Sequence, residues 1–236
     1  MRARGEPKAV ALWAGAAGPV GFLVAAFVLA GVRDDVIASQ GWVSWPSSMA
    51  LGGTAGLPMI AAFLWLGGCY AVFALGALRP MALSTVAVSG YLVTAAGDVL
   101  LAFPTDAAGE ATSWHGWLHL AGVILATVGT LIVAAALLAA TRGHAAWRPL
   151  LPAVAVIVTA AFVGLAGGFD EGWAKVAYVV GITAPAAVVP WCLIRDLEAH
   201  GAADAFTTRA MSYRTPSRSA RRTACSTASS TRPRGG

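Results

Sequence analysis

The sequence predicts an all-α integral membrane protein, a polytopic bundle of six transmembrane helices followed by a polar tail. Three observations carry this prediction. Charged residues make up only 11% of the 236-residue chain, against roughly 25% in an average soluble domain. Apolar runs of the length that crosses a hydrocarbon layer of about 30 Å recur six times between Ala9 and Ile194. Polar residues gather in short stretches between those runs and beyond Arg195. A single soluble core has no use for so many long apolar segments.

Residues 1–8, MRARGEPK, form a basic leader, and the first span follows from Ala9 to Val32. A secretory signal peptide also begins with basic residues, but its apolar region is only about 7–15 residues long, so a retained helix is expected. Pro19 and the glycines at 15, 18 and 21 are tolerated where neighbouring helices pack closely. The loop from Arg33 to Ser48 carries Trp42 and Trp45, whose indoles suit half-wet positions at a membrane–water interface. The second span covers Met49 to Leu78, long enough to tilt or to begin in the interface. Gly52, Gly53, Gly56 and Pro58 make its start irregular.

The third span runs from Met81 to Phe103, where Pro104 stops it. After a loop at 104–114, the fourth runs from Trp114 to Ala140, with a ridge of small residues at Gly122, Ala126 and Thr130 fit for close packing. The fifth covers Pro149 to Gly167 and the sixth Trp173 to Ile194, the last kinked by Pro185 and Pro190. The chain thus divides into a leader at 1–8, a membrane domain at 9–195 and a basic tail at 196–236. The tail holds too few large apolar side chains to offset its ordering entropy, so it is expected to be disordered.

Charge sets the orientation. With six spans both termini share a side, and that side carries 14 of the 16 lysines and arginines, leaving Arg33 and Lys175 opposite. Basic residues mark the cytoplasmic face. The expected location is therefore the cell membrane, multi-pass, with both termini cytoplasmic. The net charge of +5 has this topological cause. No basic surface interleaved with aromatics is present, so the lipid bilayer and not nucleic acid is the expected partner. Cys69, Cys192 and Cys225 form no disulfide framework.

The chemistry concentrates between Asp98 and His119, DVLLAFPTDAAGEATSWHGWLH. Asp98 lies inside an apolar span, on one helical face with Tyr91 and Thr94, and an intramembrane carboxylate is a functional candidate by default. Its alternative is a capping or pairing role within the bundle. His115 and His119 stand four residues apart, one turn along one face of the fourth span. That spacing suits two ligands of a divalent metal, with Asp98, Asp106 or Glu110 completing the shell. Polar packing or hydrogen bonding at a helix end is the commoner role of such a pair. Asp98, His115 and His119 are the catalytic candidates, and His115, His119 and Asp106 the metal candidates. Asp106 also reads as ordinary turn chemistry after Pro104-Thr105. His144 and His200 fall on the other side of the membrane, so the four histidines do not face one another as haem ligands, and no haem is expected. If Asp98 pairs with a histidine, Asp98→Ala is expected to cost about 1–3 kcal/mol.

The FPTD turn at Phe103–Asp106, the HGWLH segment at His115–His119 and the six apolar runs resemble the bacterial and archaeal membrane family called domain of unknown function 998, over about residues 9–195. The stretch Asp35–Ser39 is loosely similar as well. The resemblance implies a six-helix membrane protein and supplies no catalytic residues. Two functions stay open. One is a binding, sensing or structural membrane component with an outward-facing Asp/His site and a protein or small-molecule partner. The other is a membrane-embedded hydrolase, with or without metal, acting on a lipid or envelope substrate.

Overall fold

The computed structural model describes residues 9–79, 85–106, 112–143, 148, 150–166 and 172–195. The leader, Glu110, the Asp170–Glu171 corner and the tail at 196–236 lie outside the described residues. The chain divides into two compact units, Met1–Ile194 and Arg195–Gly236.

Among the described residues every regular element is helical. In order these are α1 (Ala9–Val32), the short α2 (Asp34–Gln40), 3-10 turns at Trp42–Ser44, Ser47–Ala50 and Gly53–Gly56, then α3 (Leu57–Phe73) continued by a π-turn at Ala74–Leu78. α4 (Thr85–Leu101), α5 (Trp114–Gly143), α6 (Leu151–Ala166) and α7 (Gly172–Thr183) follow, and α7 passes through a 3-10 turn at Ala184–Ala187 into a last helical stretch at 188–195. Four helical segments are long and apolar enough to cross a membrane: Ala9–Val32, Gly53–Leu78, Trp114–Thr141 and Gly172–Arg195. Thr85–Leu101 and Leu151–Gly164 are shorter apolar helices.

The packing order follows the chain. α1 lies on α3, α3 on α4, α4 on α5, α5 on α6 and α6 on α7, and the Ala184–Ala187 turn returns to α1 and closes the ring. Outward faces carry Val20, Val24, Leu64, Trp65, Ile124, Val128, Val158 and Phe162 in exposed positions. Such a surface suits lipid. Trp114, Trp117 and Trp173 stand exposed at one end of the bundle, Trp13 and Trp191 at the other with ring centroids 6.1 Å apart. Indoles collect at both interfaces of a bilayer for their mixed polarity.

The α4–α5 seam is the closest in the bundle, and small residues make it so. A side chain at Gly97 would strike the main chain of Ala126, and one at Gly122 would come within 2.8 Å of the Gly97 carbonyl. Gly122 and Ala126 of the expected ridge do pack there, with Gly129 against Thr94 as a further member.

The second span differs from its expected boundaries. Its α-helix begins at Leu57, not Met49, because Gly52 and Gly53 hold φ of 87° and 62°, outside helical conformation. Arg33 satisfies the backbone left over: its guanidinium donates to the carbonyls of Met49 and Leu51 at 3.0 and 2.8 Å. Trp45, expected half-wet, is fully buried, its indole N–H donating to the Ala26 carbonyl at 3.3 Å and its ring 4.9 Å from that of Phe27. Arg33 and Trp45 thus fasten residues 42–56 onto the end of the bundle.

Candidate functional site

The sequence candidates fall into two neighbouring networks. The outer one caps α5. Ser113 precedes the helix, and its hydroxyl accepts the Gly116 amide at 3.2 Å, the usual N-cap bond to the third helical residue. The same hydroxyl donates to Asp106 Oδ1 at 2.5 Å, while the Ser113 amide donates to Asp106 Oδ2 at 2.9 Å. His115 Nδ1 lies 2.8 Å from Ser113 Oγ, 3.1 Å from the Pro104 carbonyl and 3.5 Å from Asp106 Oδ1. Because a carbonyl only accepts, that nitrogen carries a proton. Gly116 is required by this arrangement, since a Cβ there would occupy the place of the Asp106 carboxylate. The spacing between FPTD and HGWLH is therefore that of a folded helix cap.

Asp106 is held below the usual carboxylate range, first by the Ser113 hydroxyl, then by the Ser113 amide, with His115 adding a smaller pull. A depressed carboxyl stabilises the fold above its unfolded value of about 3.9 and loses that contribution as pH falls through the folded value. The wild-type melting temperature is expected to step down below about pH 4, with the step absent in Asp106→Asn. A melting series over pH 2.5–6 that is parallel for the two proteins would overturn the capping role.

The inner network surrounds a cavity of about 50 Å³ between α1, α3, α4, α5 and α7. That is room for a few water molecules, each needing about 10–15 Å³. Ser47, Asp98, Lys175, Tyr178 and Thr183 supply its polar lining, with Phe22, Phe63, Leu66 and Val123 among the apolar walls. Asp98 is only 4% exposed, and its Oδ2 has no hydrogen-bond partner among the described residues. Tyr178 exchanges a short hydrogen bond with Thr127.

His119, on the same α5 face as His115, is 5% exposed and reaches Ser47 of the cavity lining. Its Nδ1 meets the Phe103 carbonyl at 2.7 Å, and its Nε2 meets Ser47 Oγ at 2.8 Å. The carbonyl assigns the ring proton to Nδ1, so neutral His119 accepts the Ser47 hydroxyl at Nε2. The two histidines therefore separate, His115 to Asp106 and Ser113, His119 to Ser47, and their hydrogen bonds do not run to Asp98. Among the described residues no three His, Cys, Asp or Glu side chains gather as a metal shell.

No family model, curated protein or solved structure matches the chain. The site is therefore read from its own geometry. Sequence reasoning placed Asp98, Asp106, His115 and His119 near one end of the bundle and missed Ser47 and Ser113. Ser113 was findable, because a serine just before the Trp114 helix is an N-cap signal. Ser47 was not, since its partner lies 72 positions away and no short motif marks it.

Proposed function

We propose that this chain is a six-span protein of the cell membrane, with both termini cytoplasmic, that binds or senses a small polar ligand in an outward-facing cavity built around Asp98. The six-span reading rests on the four long helices, the two shorter apolar ones and the ring in which they pack. The orientation rests on the 14 of 16 basic residues that then share one side. Membership of the domain of unknown function 998 family, suggested by the FPTD and HGWLH segments of the sequence, belongs to the same proposal.

One observation carries the ligand reading: Asp98, which lines the cavity together with Lys175 and Ser47, keeps a buried carboxylate oxygen that has no hydrogen-bond partner among the described residues. Leaving such a group unsatisfied costs about 1–3 kcal/mol, and more when it is charged. A residue kept for packing would not carry that cost, whereas a binding site accepts it. Asp98→Asn, which keeps the shape and removes the buried charge, is expected to raise the melting temperature of the purified protein. This reverses the sign expected if Asp98 paired with a histidine. A melting temperature lowered by the substitution would identify Asp98 as a structural partner and overturn the reading. A hydrolase is favoured by a separate observation, the Ser47 hydroxyl on the His119 ring.

A further inference from the structure

We propose that Ser47 and His119 form a nucleophile–base pair for acyl transfer, taking as substrate a small carboxylic ester with a short acyl group. The proposal rests on the cavity reading above only for access, since the ester must enter the space that Ser47 lines.

Nucleophilic serine catalysis needs a hydroxyl within hydrogen-bond reach of a base, and the base oriented by a third group. All three are present. Ser47 Oγ lies 2.8 Å from His119 Nε2, and His119 Nδ1 lies 2.7 Å from the Phe103 carbonyl. The carbonyl fixes the tautomer in which Nε2 bears a lone pair toward the hydroxyl, which is the form a general base requires. Both side chains are shielded, at 8% and 5% exposure, and Ser47 opens onto the cavity with Lys175 and Asp98. The ring is braced on its other side by Phe63, whose centroid lies 6.4 Å away in an edge-on arrangement. Ser47 itself sits on a segment tied down by Arg33 and Trp45, so the pair is preorganised.

The step balances without any further co-reactant than water. Ser47 Oγ bonds to the ester carbonyl carbon as its proton passes to His119 Nε2. The tetrahedral intermediate collapses with cleavage of the C–O bond, and the leaving alcohol takes the proton back from Nε2. Water then adds to the acyl-Ser47 carbonyl, giving its proton to His119, and the carboxylic acid departs as Ser47 recovers its hydrogen. The cavity of about 50 Å³ limits the acyl group to a few heavy atoms, which Phe22, Phe63, Leu66 and Val123 would flank.

Methanesulfonyl fluoride, small enough for the cavity, tests the pair directly, because its capture forms an Oγ–S bond and expels fluoride, with the hydroxyl proton again passing to His119. The full-length protein in lipid nanodiscs is treated with this reagent and the adduct located by peptide mass spectrometry. The expected result is an adduct on Ser47 ahead of the more exposed Ser39 and Ser89, formed about 100-fold or more slowly in His119→Gln. The comparison among serines within the wild-type protein stands even where His119→Gln does not fold. An adduct that favours Ser39 or Ser89, no adduct on Ser47, or equal rates in wild type and a folded His119→Gln would overturn the proposal. The sign of the Asp98→Asn melting shift is independent of this readout, so failure of either proposal is seen separately.

Discussion

Replacing Trp45 by alanine is expected to destabilise the membrane domain by about 3–5 kcal/mol, the range for deleting a large buried aromatic. The side chain is fully buried, packs between Phe27 and Trp42 and gives its N–H to the Ala26 carbonyl. Its loss empties a cavity and leaves that carbonyl without the indole. Because Trp45 stands two positions before Ser47, the same change also loosens the hydroxyl from His119. Trp42, 40% exposed, provides the control. Equal falls in melting temperature for Trp42→Ala and Trp45→Ala would contradict the anchoring role.

The second large effect belongs to the α4–α5 seam. Gly97→Val is expected to cost at least about 3 kcal/mol, the upper end of overpacking penalties. The added Cβ meets the Ala126 main chain, and backbone cannot rotate aside as a side-chain tip does. Relief requires the helices to part, which would draw the neighbouring Asp98 out of its cavity. Gly68→Ala, where nothing stands within 4 Å of the new atom, should be nearly neutral apart from a gain in helix propensity. If both variants melt alike, contact at the seam is not what holds these helices together.

Much of the architecture was legible because lipid imposes a strong rule: spanning segments must be apolar and long. The expected edges of the first, fourth and sixth spans lie within a few residues of α1, α5 and the α7 segment. The start of the second span was not legible in the same way. Hydropathy does not separate an apolar helix from an apolar coil, and Met49–Gly56 is apolar but contains two positive-φ glycines, Gly52 and Gly53. Trp45 was misjudged for a related reason: an indole beside a polar loop suits an interface, and only the fold shows it turned inward.

For the site, helical periodicity correctly put His115 and His119 on one face, yet it did not decide their partners. One turn along α5 separates an imidazole over the cap from one at the cavity. Those partners come from Pro104, Phe103 and Ser47, two backbone carbonyls and a serine on a distant segment. Sequence spacing carries no information about such contacts. Asp98 was legible as an exceptional residue from its setting alone, while its unpartnered oxygen needed coordinates.

The bond between Ser47 and His119 bridges 72 positions of the chain, and this has a consequence for biosynthesis. Ser47 leaves the ribosome with α1 and reaches the bilayer while α4 and α5 are still to be made. At that stage its hydroxyl has no imidazole beside it. The Phe103 carbonyl that orients the ring and the ring itself arrive together, on the two sides of one connection between α4 and α5. A nascent or truncated chain ending before α5 therefore carries an inert serine, and the pair comes into being only when the second half of the protein docks onto the first.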